Sequence, residues 1–264
     1  MVRTIKESKI FEEKSKMDLV KQQLKRSFAI AKKDLRIYYD KGPVVIQGIL
    51  FPIVLFFAFT IGRQILDVYI ISGLMTMVLF LTATSIGPVV FPWETRQKTL
   101  ERLIASPLTI ETILLGNVWS SFSFGCIFSV VPLLLGLTIF SLWNAVNLLL
   151  IIPGILIAGF AFSCSSLLLS VPPTDMPQNT MILTVLIKFP LIFISPLFMP
   201  VQGSPLALIS PLTYFVDIVN VALGLESGFG SFGVLLDFAF LAIFGFGILL
   251  LATKMHQKTI QKRF

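Results

Sequence analysis

Charge is scarce in this 264-residue chain, with only 13% Asp, Glu, Lys and Arg against 55% hydrophobic residues. A soluble domain carries about 25% charged residues, so the polar surface of a water-exposed globule is missing. Histidine is scarcer still. His256 is the single copy and stands in a polar tail, which excludes a His-based triad or metal cluster within the apolar segments. The two cysteines, Cys126 and Cys164, lie inside apolar runs, where Cys behaves as a small hydrophobe; neither a disulfide framework nor a metal site is expected. No glycine is followed by lysine, so the G-x-x-x-x-G-K-[ST] loop that cradles phosphates is absent. H-E-x-x-H and G-x-S-x-G are missing too. The sequence therefore predicts no catalytic residue, no metal and no cofactor in this chain. A secretory leader is also not expected, because the first ~40 residues lack the 7–15-residue apolar core one needs.

What the chain has in abundance is long apolar runs. A helix needs about 20 predominantly apolar residues to cross a bilayer. Six stretches qualify, at about 44–61, 68–90, 113–140, 148–170, 181–199 and 232–252. The reading is an all-α integral membrane protein of six spans, with residues 1–41 a separate basic segment and 42–264 one transmembrane domain. Pro190 and Pro196 interrupt the fifth span, which membrane helices tolerate where neighbours re-satisfy the freed backbone groups.

The net charge of +7 is not spread evenly. Twelve of the 21 Lys and Arg precede residue 42, three fall at Arg96, Lys98 and Arg102, and four close the chain at Lys254, Lys258, Lys262 and Arg263. Basic residues flanking apolar spans mark the cytoplasmic side, and attraction to anionic headgroups accounts for them without nucleic acid. Six crossings then place both termini and the 94–105 segment in the cytoplasm of a multi-pass cell-membrane protein. Arg63, beside Asp67, is the one dissenter.

Between about Met17 and Asp40, Val20, Leu24, Phe28, Ala31, Leu35 and Tyr38 recur at helical spacing among lysines. Such a helix lies in the headgroup plane or leans on other protein. Near the far end, "SPLTYFVDIVNVALG" carries start and stop signals at Ser210, Pro211 and Gly224. At 1.5 Å per residue it reaches only about 21 Å, short of the ~30 Å hydrocarbon core. Thr213, Asp217 and Asn220 share one face. The 204–224 segment is expected to dip in from the outer side and return, or to lie at the interface.

Intramembrane charges are functional suspects by default. Lys188 and Asp237 are the two here; each either acts in transport or snorkels to its nearer interface. Asn117, Ser121, Gly125 and Ser129 form a small-residue stripe on the third span, and Gly154, Ala158, Ala161 and Ser165 another on the fourth. Small faces allow close helix packing; the alternative is a polar lining for a passage.

The charged island "ETRQKTLERLIASP" reads as a short amphipathic helix ended at Ser106-Pro107, with Ser106 or Thr109 capping the next helix. Its Glu94, Thr99-Leu100-Glu101-Arg102-Leu103, Ser106-Pro107-Leu108, Glu111, Ile113-Leu114 and Gly116 resemble the first cytoplasmic loop of ABC-2 type transporter permeases. "SPLTYFVD" at 210–217 is similar to that family's N-P-L-T-Y-x-V-D segment. The closest flavour is the drug-resistance and nodulation-factor exporter permeases. Departures exist: Thr95 and Arg96 stand where the family often has Arg then Glu, Lys98 takes the usual glycine, Ser210 the asparagine and Asn220 the arginine.

The resemblance implies a permease subunit without its own nucleotide site, paired with a second copy or a relative and driven by separate ATPase subunits that bind ATP and Mg. By the same resemblance the 94–105 segment is a coupling helix seated on the ATPase, using Glu94, Thr99, Leu100, Glu101, Arg102 and Leu103. The rival expectation is a self-sufficient ion-coupled transporter built on Lys188 or Asp237.

Overall fold

The computed structural model describes residues 2–38, 42, 46, 50–62, 66–197, 205–230 and 232–260, with the side chains of the first helix described at residue 19 and from 21 onward. Arg63, Lys262, Arg263 and parts of the expected first span and re-entrant segment lie outside the described residues. Those described form helices and their connections, with no strand among them.

Five apolar stretches are long enough to cross a membrane, namely Asp67–Arg96, Ile110–Ile139, Leu148–Leu169, Pro177–Ile194 and Gly233–Thr259. These match five of the six expected spans. The described part of the other is α2, Phe51–Thr60, ten residues long and entered through Pro52.

The second span is not one helix. α3 runs Asp67–Ala83, the chain turns through Thr84–Ile86, and α4 resumes at Gly87–Arg96. Helix thus continues past the expected end near residue 90 and takes in Glu94. α5, Thr99–Ala105, is a separate seven-residue helix rather than the expected 94–105 unit. The separation is made by Lys98, whose φ of 55° is left-handed and stops α4, the role a C-terminal glycine normally fills.

α6 (Ile110–Ile139) starts at Thr109, whose hydroxyl accepts from the Thr112 amide. Of the two caps the sequence allowed, Thr109 is the one used. α7 (Leu148–Leu169) is capped by Asn147. α8 spans Pro177–Ile194; a 3-10 turn, Pro205–Ile209, then leads into α9, Pro211–Ala222. α10, Gly233–Thr259, continues beyond the expected end at 252.

The second span is the centre of the domain: every residue from Met75 to Pro92 is buried. α6 packs on α3, α7 on α6 and α10, and α8 chiefly on α4. The main core joins α3, α6, α7 and α9 through residues such as Phe80, Phe162 and Phe215. α9 is enclosed, with Leu212, Phe215, Val216, Ile218 and Val219 all at 1% exposure or less.

Glycines set how near the helices come. A Cβ on Gly125 would stand 2.7 Å from the Ala83 Cβ, and one on Gly154 would stand 2.9 Å from Ile218 Cγ2. Asn117, Ser121 and Ser129 are buried on the same face of α6, as are Ala158 and Ala161 on α7; Ser165 is half-buried. Both small-residue stripes are therefore closed by packing, the arrangement such faces favour in lipid.

α1, Val2–Tyr38, does not use its apolar stripe as a single face. Ser27, Ile30, Ala31, Asp34 and Tyr38 are buried, while Leu24 and Phe28 stay exposed. The buried set packs on α6, and a Cβ on Gly116 would meet Ile30 at 2.7 Å. A buried side packed on protein and an exposed apolar side, whose Phe28 stacks on Trp119 at 5.1 Å, thus coexist on one helix.

Candidate functional site

The island between the second and third spans hangs on Leu100. This side chain is fully buried and joins Ile30, Phe91, Ile113, Leu114 and Cys164 in one cluster. With Leu100 inward, the next two residues, Glu101 and Arg102, face outward and are exposed. Leu103 is half-buried, and the Thr99 hydroxyl donates to Glu94 O at 3.3 Å. The structure brings these five residues together on one small helix, with a charged outer side.

Glu94 belongs elsewhere. It is 3% exposed, in the last turn of α4, and its carboxylate accepts from Lys33 Nζ of α1. Lys33 also pairs with Asp34 at 3.0 Å. The family pattern that groups Glu94 with the coupling residues is thus split: five positions form the island helix and one ties α4 to the N-terminal helix.

That tie is one of three. Thr112 Oγ1 donates to Gln23 Oε1 at 2.6 Å, and Arg26 Nη1 donates to Pro107 O at 2.5 Å. α1 therefore grips both ends of the island segment. Burial pushes the Asp34 carboxyl up to about 6, against the pull of Lys33. Burial alone would lower Lys33, but Asp34 and Glu94 together hold it above its ordinary value. The Asn117 amide lies close enough to act on Asp34, although it completes no hydrogen bond of ordinary geometry. None of Gln23, Arg26, Lys33 and Asp34 was singled out from the sequence. The available signal was Asp34 itself, in phase with Ile30, Ala31 and Tyr38 on the tightly packed side.

Lys188 does not snorkel. It is 2% exposed and its Nζ donates to Thr84 O, at the break in the second span, at 3.0 Å. Asp237 sits in the second turn of α10, fully buried, with no hydrogen-bond partner among the described residues. It lies near enough to Asp217 to feel its charge, so the snorkelling expectation fails for it as well.

The polar stripe of α9 is spent on local closure rather than presented to a passage. Thr213 Oγ1 donates to Ala207 O at 2.5 Å, and Asp217 accepts from Ser227 Oγ at 2.6 Å and from the Gly228 amide at 2.9 Å. Asn220 is 7% exposed and its Oδ1 has no hydrogen-bond partner among the described residues. The hydroxyl of Ser210 leaves the helix end uncapped and donates instead to Leu191 O at 2.9 Å, fastening α9 to α8.

His256 does not stand in a polar tail. It is 1% exposed, its Nε2 lies 3.0 Å from Leu167 O and 3.1 Å from Ser170 Oγ, and its ring packs on Phe91. Since a carbonyl only accepts, the hydrogen is assigned to Nε2.

These features define a helical membrane protein with several apolar helices long enough to cross a bilayer, carrying a short charged helix that an N-terminal helix grips and that follows the buried second span in the chain. The model of the ABC-2 type transporter family matches residues 20–224, and the chain belongs to that family as a permease subunit of an ABC transporter. No curated protein matches it.

Proposed function

We propose that this chain is the permease of an ATP-driven exporter, that it binds no nucleotide itself, and that separate ATPase subunits supply ATP and Mg chemistry. The observation that carries this reading is the island helix: Leu100 seats it in the core while Glu101 and Arg102 project outward. A short helix held by one buried leucine and by α1 moves with the spans, so a partner grasping its charged side can drive them. The basic N-terminal helix and the island would share the cytoplasmic side, and a second copy or a related permease would complete the passage. Transport requires two conformations favoured by different nucleotide states of the ATPase.

The test is co-purification of the chain with the ATPase encoded beside it, with a photocrosslinker at Arg102. Capture of a nucleotide-hydrolysing subunit supports the proposal. A chain that captures none, and moves solute in vesicles under an ion gradient alone, supports the ion-coupled reading through Asp237 instead.

A further inference from the structure

Pro88 has no amide hydrogen, so the carbonyl four residues earlier, Thr84 O, cannot receive a helical hydrogen bond. This gap falls within the fully buried stretch Met75–Pro92, where an unpaired carbonyl is costly. Neighbouring carbonyls at the end of α3 are satisfied locally: Phe80 O accepts from the Thr84 amide and Thr82 O from the Ser85 amide, each at 3.1 Å, with Thr84 Oγ1 and Ser85 Oγ as second donors at 2.6 and 2.8 Å. Thr84 O is closed from another helix, by Lys188 of α8 at 3.0 Å.

The other side of the break is held as closely. The Gly87 amide, at the start of α4, donates to Ser166 Oγ of α7 at 3.0 Å, and a Cβ on Gly87 would stand 2.4 Å from that oxygen. The angle between α3 and α4 is therefore fixed by two neighbours, α7 through a hydroxyl and α8 through the lysine Nζ. No carboxylate pairs with it among the described residues.

α8 packs chiefly on α4 and leaves Ile182, Leu186 and Phe193 exposed. α4 leads directly to the island helix.

We propose that Lys188 is a positioning residue for transport: its Nζ supplies the donor that Pro88 removes, and so ties movement of α8 to the bend of the second span and thence to the island. The bend itself stands on geometry; its use in coupling rests on the permease reading above.

Spin labels at Asp67→Cys and Arg96→Cys, with Cys126 and Cys164 replaced by Ala, report the α3–α4 angle as a distance distribution in nanodiscs. The unmodified bend gives one narrow distribution, and Lys188→Arg keeps it. Lys188→Met at least doubles its width. Pro88→Ala combined with Lys188→Met restores the narrow distribution, because the backbone donor returns. It also restores accumulation if Lys188→Met alone fails to insert. With the ATPase bound, ATP and vanadate shift the distance in the parent and in Lys188→Arg but not in Lys188→Met. An unchanged width in Lys188→Met, or a defect that Pro88→Ala leaves unrepaired, overturns the proposal. A nucleotide-driven shift that survives in Lys188→Met reduces Lys188 to a structural cap and overturns the coupling role. If no ATPase assembles with the chain, the permease reading fails, and the width comparison still decides the bend.

Discussion

Glu94 of α4 and Lys33 of the N-terminal helix form a largely buried ion pair, with Asp34 as a second carboxylate on the same ammonium. The pair joins the end of the second span to a helix that precedes every crossing. Removing one member strands the other charge, which is costlier than losing an exposed pair. Glu94→Gln is expected to lower stability by about 1.5–3 kcal/mol, read as a lower melting temperature in detergent. The exchange Lys33→Glu with Glu94→Lys recovers part of the loss; equal loss in the exchange and the single variants would show that charge pairing is not the cause.

Asp34 makes stability here fall as pH rises. Its folded pKa of about 6 lies above the ordinary 3.8, so between these values the folded state holds a proton that the unfolded state has released. The contribution is fully present below 3.8 and is lost as pH rises through about 6. From pH 4 to 7 the parent is expected to lose up to about 3 kcal/mol relative to Asp34→Asn. Melting curves of the two proteins across that range check it. Parallel pH profiles would contradict the prediction. Lys33, raised above 10.5, changes nothing in this window.

The island helix separates seating from contact. Leu100→Ala removes a fully buried side chain and is expected to cost about 2–5 kcal/mol. Glu101→Arg changes an exposed charge, so insertion and melting stay near the parent while transport is uncoupled from ATP hydrolysis. Unaltered ATP-driven transport in Glu101→Arg would remove the island from the mechanism.

Lys98 occupies a left-handed conformation, φ 55°, that costs a side-chain-bearing residue about 1–2 kcal/mol. Lys98→Gly is expected to stabilise the α4–α5 junction by about 1 kcal/mol, less the entropy glycine adds to the unfolded chain. Lys98→Ala, which keeps the Cβ, gives no gain. Equal melting temperatures for the two variants would deny the strain.

The approach of Gly125 to Ala83 is tight enough that one methyl decides it. Gly125→Ala is expected to cost about 1–3 kcal/mol by overpacking. Adding Ala83→Gly makes room and restores part of the loss. A double variant no better than the sum of its singles would place the strain elsewhere.

Hydropathy placed apolar helices at five of the six expected spans, with ends that differ by up to seven residues, because a bilayer demands about 20 apolar residues whatever surrounds them. The island was legible as a charged helix for the same local reason. Its division was not: a helix ended by left-handed Lys98 looks in sequence like a helix continuing, since lysine favours helix interiors. The grip of α1 was hidden as well. Leu24 and Phe28 advertise an apolar stripe, whereas the packed side is built on Ser27, Ile30 and Asp34.

By itself, then, the sequence determined the membrane-embedded all-helical class, the stretches apolar enough to cross, and the motifs at 94–116 and 210–217 that resemble the family. Only the tertiary structure decided what the buried polar groups do. Lys188 and Thr84 are 104 residues apart, Lys33 and Glu94 are 61, and His256 and Leu167 are 89. Crossing a bilayer is a property of each segment's own composition. A polar group inside it must find a partner wherever packing brings one, and that partner is chosen by helices far away along the chain.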